Sequence, residues 1–207
     1  MTSILKVDNI KDSADNQAIS ISNGVVAFNN NPTGITSDFK LLLSDTISSS
    51  VSEYDISSTY INSTYDNYVL QATLLPASDG THALMRVFQS GSVLTGDKYS
   101  YEAASNSASL YVGSNSVHRF QVTVTTCGNA AGEGITMNLR LHNVNSTTHS
   151  FCYGGDSQSF SNAGVPVSAS LGGSLLVTER NVVVNGLRLT FESGNIASGT
   201  VKLYGVA

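Results

Sequence analysis

The sequence predicts an all-β fold: a small N-terminal β-hairpin module over residues 1–37, then an antiparallel jelly-roll β-sandwich over residues 38–207. Three observations lead there. Apolar residues recur with period two in segment after segment, the spacing of a strand that buries one face. Clusters of Gly, Ser, Asn and Asp separate those segments at roughly 8–12-residue intervals, the rhythm of a sandwich or barrel. No apolar period near 3.6 persists long enough for a helix of about three turns.

The first module opens with Ile4 to Ile10, ILKVDNI, a short strand with one apolar side. Asp12-Ser13-Ala14-Asp15-Asn16 is turn chemistry, and Ile19/Ile21 and Val25/Val26/Phe28 flank Ser22-Asn23-Gly24 as a compact hairpin. So few large side chains cannot close a core alone, so the module needs a partner surface, and identical copies are the simplest source. Asn29-Asn30-Asn31-Pro32-Thr33-Gly34 is the break that marks the boundary.

Beyond it, Phe39 to Ile47 places Phe39, Leu41 and Leu43 on one parity, and the Ser-rich Val51 to Ile56 reads as an edge strand. Tyr68, Leu70, Ala72 and Leu74 alternate with Val69, Gln71 and Thr73 until Pro76 ends the strand. Ala83 to Gln89 is apolar on both parities, as in the middle of a covered sheet. Tyr99 to Ala103, then His118 to Thr125 with Phe120, Val122 and Val124 inward, and Thr136 to His142 with Met137, Leu139 and Leu141 inward, continue the series. Ser150 to Tyr153 is a further short strand, Gly154-Gly155-Asp156 reads as a turn, and Leu175 to Thr178 precedes a terminal hairpin. In that hairpin Leu187, Leu189, Phe191, Val201 and Leu203 face inward beside the Tyr68 to Leu74 strand, while Arg188, Glu192 and Lys202 form a solvated cross-strand charge set. About nine or ten strands after Phe39 suit a jelly roll.

Composition excludes some functions. Fifteen acidic against ten basic side chains give a formal charge of −5, and the cations are scattered, which argues against nucleic-acid binding by phosphate neutralisation. No apolar run has membrane-spanning length and Met1 begins no signal sequence, so the expectation is a soluble chain that inserts in no membrane. Cys127 and Cys152 make no disulfide framework and read as buried or half-buried thiols.

Motif chemistry is sparse. No Gly-x-Ser-x-Gly elbow occurs, His82, His118, His142 and His149 lack the paired spacing of a zinc site, and neither cysteine belongs to a Cys-x-x-Cys. His142 and His149 read as an exposed cross-strand pair, and Asp8, Asp12 and Asp15 as turn residues rather than a calcium loop. No catalytic, cofactor-binding or metal-binding residue is expected. Glu53, Asp55, Asp79, Asp97, Glu102, Glu133, Asp156, Glu179 and Glu192 fall in turns or on outward parities, which leaves a glycosidase unsupported. Asn62-Ser63-Thr64 and Asn145-Ser146-Thr147 read as loop residues. Tyrosine rings with Asn and Asp beside them can stack on sugar faces, and Tyr99, Tyr101, Tyr111 and Tyr153, with Asp156, are the candidate glycan-binding residues.

The opening ILKVDNIKDSADNQAISISNGVVAF resembles the short N-terminal β-module of phage tail-fibre and virion structural proteins. STYDNYVLQATLLPASDG, ALMRVFQSG and SGNIASGTVKLYG resemble the C-terminal jelly-roll module of the same proteins, notably those of marine and cyanobacterial phages. The resemblance covers nearly the whole chain. It implies a homotrimer assembled in the host cytoplasm into the virion, bound to other tail or capsid proteins through the first module, with no catalytic residue to map. No shaft separates the two modules, which favours a short tail fibre or appendage that presents its jelly roll to host-surface glycan. The alternatives are a capsid decoration, cement or head-fibre protein, and a weak polysaccharide-degrading enzyme.

Overall fold

The computed structural model describes residues 38–105, 111–179 and 181–207, and the backbone of strands within 9–11, 17–22 and 25–28. The chain divides into two compact units, Met1–Asp38 and Phe39–Ala207. In the first, β1 (Asn9–Lys11), β2 (Gln17–Ser22) and β3 (Val25–Phe28) form an antiparallel sheet in the order β1-β2-β3. Ser22 pairs with Val25 and Ile21 with Val26, the register expected of the hairpin. The expected strand residues Ile4 to Asp8 and the turn residues Asp12 and Asp15 lie outside the described residues.

The second unit is built from β4 (Phe39–Ile47), β5 (Tyr54–Ile56), β6 (Asn67–Pro76), β7 (Ala83–Gln89), β8 (Ser92–Val93), β9 (Tyr99–Ser105) and β10 (Tyr111–Val117). It continues with β11 (Phe120–Gln121), β12 (Ile135–His142), β13 (Cys152–Phe160), β14 (Pro166–Leu175), β15 (Val184–Phe191) and β16 (Ile196–Val206). These strands make two antiparallel sheets, β10-β9-β14-β13-β12-β6-β16-β4 and β11-β7-β15-β5, with β8 added beside β7. Both are packed as a sandwich.

Pairing is nested. β4 pairs with β16, β5 with β15, β6 with β12 and β7 with β11, so the chain is one long antiparallel ribbon. Closing β16 on β6 and β15 on β7 rolls that ribbon into a sandwich, which is the jelly roll. The β8–β10 excursion and the β13–β14 pair are insertions, and β9, β10, β13 and β14 widen one sheet to eight strands.

Alternation sets the core. In β12, Ile135, Met137, Leu139 and Leu141 are buried while Thr136, Asn138, Arg140 and His142 are exposed. Tyr68, Leu70, Ala72 and Leu74 of β6 and Val201 and Leu203 of β16 face the same interior. They meet Met85, Val87, Leu187, Leu189 and Phe191 of the smaller sheet in one apolar cluster. Phe120 anchors one end, with Tyr99 edge-on at 4.7 Å and Tyr153 at 4.8 Å between ring centroids.

Several expectations need correction. β15 and β16 are not a hairpin: β15 belongs to the smaller sheet and β16 to the larger, and Glu192 to Asn195 crosses between the layers. Both strands bury the expected faces, but each takes its backbone partners from elsewhere. Arg188 and Glu192 therefore share one outer face, and Lys202 stands on the opposite outer face. Arg188 chelates Asp55 through Nε at 2.7 Å and Nη2 at 2.6 Å, reaches Glu53 through Nη1 at 2.6 Å, and lies 5.4 Å over the Phe88 ring. Glu192 pairs with Arg119.

Gly154-Gly155-Asp156 is strand, not turn. β13 runs straight through it, because Gly155 and Gly173 lie where side chains would collide with β12 and with the Tyr153 ring. The His118 to Thr125 segment keeps only Phe120–Gln121 as strand, although Phe120, Val122 and Val124 are buried as their period demands. Leu175 ends β14, a strand the sequence did not announce, and a single 3₁₀ turn, Val177–Glu179, leads towards β15. Both cysteines are free thiols. Cys127 is buried, which pushes its thiol up to about 12, and Cys152 lies half-buried on β13. His142 is paired across strands with Cys152 rather than with His149, which lies in the loop before β13.

Candidate functional site

Three of the five residues named from the sequence do meet, but in the core: Tyr99 and Tyr153 both pack against Phe120, and Tyr101 and Tyr153 flank Gly173 from β9 and β13. Tyr99 is fully buried; its hydroxyl donates to the Leu94 carbonyl at 2.8 Å and accepts from the Val87 amide at 3.3 Å. Burial pushes its phenol up to about 12. Tyr153 is 4% exposed among core rings, so neither presents a face to a sugar. Tyr101 is half-buried on the same inner side and donates to Gln121 Oε1 at 3.3 Å. Tyr111 belongs to the edge strand β10, and its side chain is outside the described ones. Of the five, Asp156 alone is exposed among the described side chains, on the outer face of β13.

The physical reason is the alternation itself. In β9, Tyr99, Tyr101 and Ala103 share the apolar parity and Ser100, Glu102 and Ala104 the other. A tyrosine on an apolar parity is buried by its neighbours whatever its hydroxyl prefers. In β13 the Gly-rich run hides the parity, and only the pairing of Tyr153 with Gly173 shows which way it points.

A different constellation forms on the outer face of the larger sheet, where β12, β6, β16 and β4 lie side by side. Their outward residues fall in register as cross-strand rows. Thr136, Thr73, Thr200 and Thr46 make the first row, with 3.2 Å between the hydroxyl oxygens of Thr73 and Thr136. Asn138, Gln71, Lys202 and Ser44 make the second. Arg140, Val69, Tyr204 and Leu41 make the third, and His142, Asn67, Val206 and Phe39 the fourth. His142 Nδ1 sits 3.2 Å from Asn67 Oδ1, which fixes the imidazole across the strand pair.

Three adjoining concavities of about 340, 300 and 210 Å³ run along these rows. The first and second share Gln71 and Asn138, and the second and third share Phe39, Val69 and Arg140, so they form one groove along β6. From Asn67 to Thr73 it is about 20 Å long at the rise of an antiparallel strand. Its upper half is hydroxyl and amide. Its lower half has the nearly buried Val69 as floor, with the half-buried Tyr204 and the 49%-exposed Phe39 beside it.

That arrangement suits a long, flat, hydroxylated ligand. Amides and hydroxyls donate and accept at once, and an aromatic ring next to an apolar floor receives the C–H face of a sugar. The floor is a sheet held by ladders on both sides, so the donors are positioned before any ligand arrives. Beyond Arg140 the surface drops to bare backbone, because Gly154 of β13 pairs with Arg140 and Gly172 of β14 pairs with Gly154.

A second concavity of about 320 Å³ lies at the β4 edge, lined by Lys40, Leu42, Tyr60, Asn62 and Tyr65 among others. Its loop is stapled: Asn145 Nδ2 donates to the Asn62 carbonyl at 2.6 Å and also to that of Tyr65. The two Asn-x-Thr loops are thereby joined to each other.

Among the described residues no two carboxylates assemble into a pair over either concavity. Glu53 and Asp55 are both spent on Arg188, Glu179 on Lys98 at 2.8 Å, and Glu133 Oε2 accepts from the Ala130 amide at 2.8 Å. Among the described residues no three His, Cys, Asp or Glu side chains are grouped to hold a metal ion, and no helix is long and apolar enough to cross a membrane. No family model matches the chain, and neither a curated protein nor a solved structure matches it.

Proposed function

We propose that the protein is a bacteriophage virion structural protein, a trimeric short tail fibre or appendage. It attaches to other virion proteins through its N-terminal module and binds host-surface glycan along the outer groove of its jelly roll. The sequence phrases of both modules support the virion setting. The observation that carries the binding role is the groove: a run of amides and hydroxyls ending on Tyr204 and Phe39, set on a rigid sheet. Three copies in one trimer would multiply a weak single-site affinity through effective concentration.

The test is retention of the full chain on immobilised host-envelope polysaccharide. Tyr204→Ala and Gln71→Ala should each weaken retention by about tenfold, the effect of losing roughly 1.4 kcal/mol. The melting temperature of each variant should stay near that of the parent. Wild-type protein that passes through the matrix without delay would overturn the binding role, and a full complement of copies over the capsid shell would move it to decoration.

A further inference from the structure

We infer that the groove is selective for acidic polysaccharide, a chain carrying repeated carboxylate or sulfate groups; this rests on the glycan reading above. Lys202 stands on the β16 wall and Arg140 on the β12 wall, with β6 between them. Both are exposed, and among the described residues neither has an ion-pair partner. Lys98, Arg119 and Arg188, by contrast, are each held by a carboxylate. His142 adds a third nitrogen group next to Arg140.

The four rows of the groove contain no carboxylate. Asp156, outward on the adjoining β13, is paired with Asn138 on the far side of the β12 wall and forms no ion pair with Arg140. On a chain with 15 acidic and 10 basic residues, a surface strip with cations alone is a local reversal of the overall sign. Unpaired cations in a concave strip attract and orient anionic ligands, with Arg140 able to fork onto one carboxylate.

Spacing points to a polymer. Two strand intervals and one step of two residues separate the Lys202 and Arg140 Cα atoms by about 12 Å. They also line different concavities, Lys202 the first and Arg140 the second and third, so each takes its own anionic group. A nucleic acid presents a phosphate about every 3.4 Å per strand and needs a denser basic track than two cations provide.

The test uses the full chain with four probes: polygalacturonate, its carboxyl-reduced galactan, dextran sulfate and single-stranded DNA. Polygalacturonate or dextran sulfate should bind at least about tenfold more tightly than the reduced galactan, the range of one charge-assisted hydrogen bond. The preference should shrink as salt rises. Lys202→Gln and Arg140→Gln should each lower acidic binding by a larger factor than galactan binding and so narrow the preference, while Gln71→Ala lowers both by the same factor. Whichever acidic polymer binds better tells carboxylate from sulfate. Equal affinity for the galactan overturns the selectivity and leaves the glycan reading standing. Equal or tighter binding of DNA overturns the assignment to polysaccharide, and retention of none of the polysaccharides overturns the glycan reading and this inference with it.

Discussion

Four glycines in two adjacent strands show how differently one residue type is used. Gly155 has a φ of +156°, and a Cβ there would meet Asn138 O at 2.1 Å; at Gly173 a Cβ would meet the Tyr153 ring at 2.5 Å. Their neighbours Gly154 and Gly172 face outward, where a Cβ would find only ordinary contacts, at 3.8 and 3.9 Å. Glycine inside a strand costs roughly 0.5–1 kcal/mol relative to alanine, so the outward pair is not explained by packing. Gly154→Ala should raise stability by up to about 1 kcal/mol. Gly155→Ala should lower the urea midpoint sharply, because the backbone of β12 has to move. Equal midpoints would refute that division.

His82 carries the pH dependence of its neighbourhood. Burial holds its imidazole below the ordinary value, with Glu192 opposing and Arg119 adding to the shift, and Nδ1 lies 3.1 Å from the hydroxyl of buried Thr123. The unfolded chain takes up this proton first as pH falls. The stability owed to neutral His82 is therefore complete above about pH 6.5, the ordinary value, and is lost progressively below it. His82→Gln should flatten the fall in urea midpoint below that pH; an unchanged slope would assign the acid sensitivity to other groups.

Among the strands, β15 and β16 show what alternation cannot say. Each buries the predicted parity, yet the expected mutual pairing is replaced by a crossing between sheets. Ile196, fully buried, starts β16 and bridges to Val51, exchanging backbone hydrogen bonds at 2.8 and 3.0 Å. Phe191 is the last residue of β15 and is 5% exposed against the core. Phe191→Ala should cost about 3–5 kcal/mol by leaving a cavity between the layers. A near-neutral denaturation midpoint would mean that the ring is not held there. A tight hairpin and a layer crossing use the same short Gly-containing linker, so Gly194 with its φ of +73° is compatible with both.

At the level of the whole chain, the two units differ in what they can bury alone. The three short strands of the first unit span few residues, and such a sheet gains stability from a partner. The second unit holds a core drawn from both sheets, and both of its cysteines are free thiols. Under the trimer proposal, the full chain should have the native mass of three copies, and a chain lacking residues 1–37 that of one. A monomeric full-length chain would remove the trimer, and a trimeric truncated chain would move the association surface to the sandwich.

Class, the strands with a clear apolar period and most of their facings were legible because they rest on local alternation, whereas β10, β14 and most of β13, where Gly and Ser break that period, were not. Met137, Leu139 and Leu141 declare their face within one strand, and so do Tyr68, Leu70 and Ala72. The burial of Tyr99 is likewise written in the parity it shares with Ala103. Partner choice is another matter. The groove takes Phe39 from β4, Val69 from β6, Arg140 from β12 and Tyr204 from β16, residues widely separated along the chain and adjacent only through nested pairing. Each strand edge has equivalent hydrogen-bonding groups, so local sequence leaves several partners open. Closure of the rolled ribbon chose among them, and in doing so set Lys202 and Arg140 on facing walls of one groove.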